Sequence, residues 1–141
     1  MTKILIVEAP YYEDVSENLA KGAITALENA GCDFERLEVP GALEIPLAIK
    51  LAFESGRYDG FIALGCVIRG ETTHYDIVCN ESARGLTMLA LEHNIAIGNG
   101  ILTCENQDQA LVRAKPELKN KGGDAAKAVL RLLDIQKQFK K

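Results

Sequence analysis

The sequence predicts an α/β protein of three layers, a four-stranded parallel sheet with helices on both faces. Short, continuous apolar runs, as expected of strands covered on both sides, alternate along the chain with segments of helical period. Gly, Pro and Asn signals punctuate the changes of period. The length, 141 residues, suits one domain over residues 1–141, which would bury roughly 68–70% of its unfolded surface without a disulfide or metal staple.

Lys3 to Glu8 is the first such run. Asp14 to Ala30 carries Val15, Leu19, Ala23, Ala26 and Leu27 at helical spacing and stops at Gly31. Phe34 to Val39 alternates like a strand, Leu43 to Ser55 reads as a helix ending at Gly56, and Asp59 to Ile68 is a second fully apolar strand. Asp76 to His93 is helical and Asn94 to Leu102 strand-like. Two last helices are predicted at Gln107 to Ala114 and Asp124 to Phe139, with Gly122-Gly123 just before the second. The order β-α-β-α-β-α-β-α-α calls for right-handed crossovers between parallel strands.

Composition narrows the function. The chain is 48% apolar and 26% charged, and its apolar runs fall far short of the roughly 20 residues of a membrane span. No basic region followed by an apolar stretch and cleavage site is visible at the start, so a cytoplasmic location is expected. Net charge is −4, a poor basis for nucleic-acid binding, yet from Arg113 onward nine Lys/Arg face three Asp/Glu. That basic segment suits solvated helix faces, an anion, or an acidic surface of another copy of the chain. Cys32, Cys66, Cys79 and Cys104 have neither CxxC nor zinc-ligand spacing and read as reduced, mostly buried small residues; no metal is expected.

In open parallel sheets ligands gather beyond the carboxyl ends of the strands, so the loops there hold the candidates. In Gly65 to Asp76, Gly70 permits a close turn, and Glu71, Thr72 and Thr73 offer successive N–H groups and hydroxyls ahead of a helix. The stretch suits a phosphate cradle and equally an ordinary helix cap without ligand. His74 lies among small polar residues, and an unperturbed pKa of roughly 6.5 suits it to proton transfer near neutral pH; a structural role is the alternative. His93, at a helix end, is explained by the helix C-terminus. Tyr11 and Tyr12 follow the first strand, where one of them can stack on a planar heterocycle or pack beneath the loop. Glu44, beside Pro40-Gly41-Ala42, suits a polyhydroxyl chain or simply the first turn of a helix. The sequence holds no HExxH, P-loop, GxGxxG or Ser-elbow motif.

Val39 to Pro46 (VPGALEIP), Leu64 to Asp76 (LGCVIRGETTHYD), Gly100 to Asn106 (GILTCEN) and Lys119 to Gly122 together closely resemble the 6,7-dimethyl-8-ribityllumazine synthase family of riboflavin biosynthesis. The resemblance covers nearly the whole chain. It implies a flavodoxin-like fold and condensation of 5-amino-6-ribitylaminouracil with 3,4-dihydroxy-2-butanone 4-phosphate, with loss of phosphate and water and no cofactor. By resemblance, Tyr11 stacks on the pyrimidine; Ala42, Leu43 and Glu44 contact the ribityl chain; and Cys66, Val67 and Ile68 line the pyrimidine edge largely through backbone. Glu71 and Thr72 cradle phosphate, and His74 is the general acid/base. Asn99, Arg113 and Lys121 reach in from an adjacent subunit, Arg113 to the phosphate and Lys121 to the pyrimidine carbonyl, which implies a homo-oligomer. Many members have Phe where this chain has Asn99 or Leu43. Shell-forming members carry an N-terminal extension and a Gly-rich turn between the last helices. This chain begins its first strand at Lys3 and reads Lys115-Pro-Glu-Leu-Lys-Asn120 at the turn, so a pentamer, alone or paired, is expected. The related archaeal-type riboflavin synthase fits the phosphate-suited loop less well. Flavodoxin- and receiver-like binding modules lack their phosphate loop or acidic cluster here.

Overall fold

The computed structural model describes residues 1–140. Four strands, β1 (Lys3–Glu8), β2 (Asp33–Glu38), β3 (Gly60–Ile68) and β4 (Ala96–Cys104), form one parallel sheet in the order β2-β1-β3-β4. Five α-helices connect or follow them: α1 (Glu13–Asn29), α2 (Ile45–Glu54), α3 (His74–His93), α4 (Gln107–Ala114) and α5 (Lys121–Gln138), with a 3-10 turn at Ala42–Glu44 before α2. The predicted element order and three-layer arrangement are realised.

Alternation along the buried strands makes two cores. Ile4, Ile6, Ile62 and Leu64 face Val15, Leu19, Ala126 and Val129 on one side. Leu5, Val7, Phe61 and Ala63 face Ile45, Ile49 and Leu86 on the other. Each fully buried side chain of this size contributes about 1.5–3 kcal/mol relative to exposure. β1 and β3 are covered on both faces, which explains why they read as continuous apolar runs, whereas β2 is a largely exposed edge. Its register is held by the ladder Lys3↔Asp33 to Glu8↔Glu38 and by a bidentate pair from Arg36 to the buried Glu8, at 2.7 and 2.8 Å. Gly31 and Gly56 end α1 and α2 with φ of +71° and +74°, as helix-stopping glycines should.

Gly122 and Gly123 do not precede α5 as expected but lie inside it. A Cβ at Gly122 would sit 2.0 Å from the Leu19 carbonyl oxygen, so α1 and α5 approach backbone to backbone there. The N-cap is Asn120, at φ 49°, whose side chain accepts from the Gly123 N–H at 3.3 Å. The glycines are needed for packing rather than for breaking a helix. α3 likewise starts two residues earlier than its apolar period suggests, at His74.

Candidate active site

The chain runs from β1 outward to β2 and then crosses back beyond β1 to β3, so the switch point of the sheet lies between the carboxyl ends of β1 and β3. A cleft of about 480 Å³ opens there. Ala9, Tyr11 and Tyr12 wall it after β1, Pro40 to Glu44 after β2, Cys66 to Ile68 at the end of β3, and His74 and Val78 from α3. Tyr11, Ala42, Leu43, Glu44, Cys66, Val67, Ile68 and His74, predicted from four separate stretches of sequence, are thus brought together.

The two tyrosines divide the alternatives between them. Tyr12 packs against the core, and burial pushes its phenol up from the ordinary value. Tyr11 is 75% exposed and meets Tyr12 edge to face at 4.9 Å, which leaves the Tyr11 ring open to the cleft. Glu44 sits in the 3-10 turn, where its N–H donates to the Gly41 carbonyl at 3.1 Å. Cys66 is buried and its thiol is pushed up to about 12, first by burial and then by the neighbouring Cys104 and Cys79. It stays protonated and is no nucleophile.

Residues 70–74 are exposed, and Glu71 and Thr72 precede His74 without lining the cleft. A Cβ at Gly70 would meet nothing within 4 Å and its φ is not positive, so no close turn requires glycine there. Thr73 caps α3 without a side-chain hydrogen bond; the His74 N–H donates instead to Thr72 Oγ1 at 3.3 Å. His93 ends α3 as expected, its Nε2 4.0 Å from Glu92 and its ring 5.8 Å from Phe53.

Asn99, Arg113 and Lys121 are brought together elsewhere, in a second cleft of about 360 Å³ along β4, between its exposed positions and the helices α4 and α5. Arg113 is steadied by donating to the Gln109 carbonyl at 3.1 Å, and Lys121 Nζ lies 3.7 Å from Asp124. Asn99 accepts from the Ile101 N–H at 2.9 Å through its carboxamide oxygen, satisfying a donor of the strand that has no partner strand beyond it. Among the described residues the two linings share no member, and the first holds no Lys or Arg. Sequence reasoning missed Val78 in the first cleft and Asp124 in the second. Val78 stands one helical turn beyond His74, and that spacing is its signal.

Fold and cleft define a three-layer α/β protein with an open cleft at the switch point of its sheet, the place where sheets of this kind take small ligands. Comparison with known proteins gives the family. Residues 1–137 match the family model of 6,7-dimethyl-8-ribityllumazine synthase. The chain is 56% identical over 139 residues to the 6,7-dimethyl-8-ribityllumazine synthase of Zymomonas mobilis and 55% identical over 139 residues to that of Erythrobacter litoralis, covering 99% of both partners in each case. The enzyme of the same name from Bartonella tribocorum is 53% identical, over 96% of this chain and 91% of its own. The chain belongs to the 6,7-dimethyl-8-ribityllumazine synthase family and is an enzyme of riboflavin biosynthesis, a transferase.

Proposed function

We propose that this chain, as one domain over residues 1–141, condenses 5-amino-6-ribitylaminouracil with 3,4-dihydroxy-2-butanone 4-phosphate in a site completed by a second subunit. The observation that carries this reading is the separation of the two clefts. The switch-point cleft has an exposed aromatic ring, a carboxylate at Glu44 and His74, yet no cation among the described residues to meet a phosphate. The cationic cleft on β4 has Arg113 and Lys121. Facing each other across a subunit boundary, they make one site with a platform, a proton carrier and an anion partner.

In that site Tyr11 stacks on the pyrimidine, the strand end Cys66–Ile68 follows its edge, and Ala42, Leu43 and Glu44 hold the ribityl chain. The 5-amino nitrogen attacks the ketone and water leaves to give an imine. A proton leaves the carbon beside the imine as the C–O bond to phosphate breaks, the resulting enol becomes a ketone, and the second amine adds to that carbonyl and closes the ring with loss of a second water. Holding both reactants supplies much of the acceleration; His74 accepts and returns protons at each stage. The phosphate rests on the 71–72 loop and takes a bidentate contact from Arg113, with Lys121 at the pyrimidine carbonyl and Asn99 at the boundary.

A heterologous contact of this kind closes into a ring, here a pentamer, alone or paired. Leu43, Leu47 and Leu51 form an exposed apolar stripe beside the first cleft, and Val112 and Leu118 are exposed on and just after α4, which packs on the opposite face of the sheet from α2, surfaces that an assembly would cover. The test is to mix the two substrates with the protein and follow the lumazine's absorbance and fluorescence; product formation at the uncatalysed rate overturns the reading. Light scattering on the same sample gives the mass, and a monomer overturns the shared site.

A further inference from the structure

We propose that Arg69 is a positioning residue, a clasp that holds the two ends of the 70–74 loop and so places the phosphate cradle and His74. The inference rests on the reading of that loop given above and adds the residue that fixes it. Arg69 is the first residue beyond β3, and its N–H makes the last ladder bond, to the Cys104 carbonyl at 2.9 Å. Its side chain then turns across the loop's base. Nε donates to Glu105 at 2.7 Å, just past β4; Nη1 lies 3.8 Å from Asp76; and the guanidinium stacks over the Tyr75 ring at 4.3 Å. One planar group thus ties the end of β3, the end of β4 and the first turn of α3, the geometry for which Arg, with its fork and its stacking face, is suited and Lys is not.

The loop between these anchor points has little else to hold it. Residues 70–74 are all exposed, and their only side-chain hydrogen bond among the described residues is the 3.3 Å one from the His74 N–H to Thr72. Two carboxylates and an aromatic face occupy Arg69, which argues for an organising part rather than a direct phosphate contact. Its partners are about half exposed, and exposed pairs contribute little to folding. Removal should therefore leave the fold intact and loosen the loop, and misplacement of this kind lowers rates steeply.

The experiment compares Arg69→Ala, Arg69→Lys, Glu105→Ala and the double variant with the parent in the lumazine assay, with thermal unfolding as control. Expected are about a tenfold loss in kcat/KM for butanone phosphate in Arg69→Ala, little rescue by Lys, a loss of similar size in Glu105→Ala, and no further loss in the double variant. The KM for the pyrimidine and the unfolding midpoint should barely move, and amide exchange at 70–74 should speed up. If Glu105→Ala keeps or improves the phosphate KM while Arg69→Ala loses it, Arg69 binds phosphate directly and the clasp is wrong. Parent-like rates in both single variants also overturn it. If Arg69→Ala does not fold, Glu105→Ala and amide exchange decide alone. A parent that makes no lumazine refutes the enzymatic reading instead, and the exchange measurement still judges the clasp.

Discussion

The two clefts of this chain differ in what walls them and in what charge they offer. The switch-point cleft is floored by the ends of two central strands that are buried on both faces, and its lining is mainly apolar with a carboxylate and an imidazole. The cleft along β4 lies at a sheet edge, takes its walls from the two last helices, and brings Arg113 and Lys121 beside Asn99. A central strand end can shape a platform but is closed in by its neighbours; an edge strand has an open side on which a partner can sit. On the proposed reading, the pyrimidine lies at the ends of the central strands and the cations stand at the edge, where a second copy would be reached.

Variants that separate the clefts give the largest effects. His74→Ala should lower turnover by about 10²-fold, the low end for a general acid/base, with both KM values close to the parent's. Arg113→Ala should instead raise the KM for butanone phosphate by about 10–10²-fold, the scale of a lost charged hydrogen bond, and leave the pyrimidine KM nearly unchanged. Steady-state kinetics with each substrate varied in turn would show this split, and equal losses for both substrates in both variants would erase the distinction.

Gly122→Ala tests whether the edge cleft depends on close helix packing. The added methyl would meet the Leu19 carbonyl, so a loss of about 1–3 kcal/mol in denaturant unfolding is expected. Activity should fall through the pyrimidine KM, since the adjacent residue is Lys121, assigned to the pyrimidine carbonyl, and neither Leu19 nor Gly122 lines the switch-point cleft. A parent-like unfolding curve would show that α1 and α5 can part without cost.

Mixing the two impaired chains asks whether the clefts meet across a boundary. Co-refolded in equal amounts, His74→Ala and Arg113→Ala chains should regain about one quarter of parental activity, because in a heterologous ring one junction in four carries both intact halves. No gain over the separate variants would place both clefts' functions within a single chain. The smallest effect concerns Cys66, whose thiol is held far above its ordinary 9.0. A raised folded value means that its contribution to stability is complete below about pH 9 and is lost as pH climbs toward 12. The unfolding midpoint should fall over that range, and the fall should be shallower in Cys66→Ala, as thermal scans at stepped pH would record.

Much of this was legible without coordinates. Continuous apolar runs placed the central strands and the 3.6 period the helices, since apolar spacing reports which faces a core will cover, and the loops at the strand ends held His74, Glu44 and Tyr11 as expected of a parallel sheet. Other features lay beyond local pattern. Tyr11 and Tyr12 are adjacent and chemically identical, and only the packing of α1 decides which ring stays open. Gly122-Gly123 looks like a break and is a contact, because its partner, Leu19, lies about a hundred positions earlier in the chain. Asn99 satisfies an edge donor and Arg69 spans three elements for the same reason: who meets whom depends on strand register and interhelical distance. Those are set by the summed packing of the whole molecule, which no window of sequence contains.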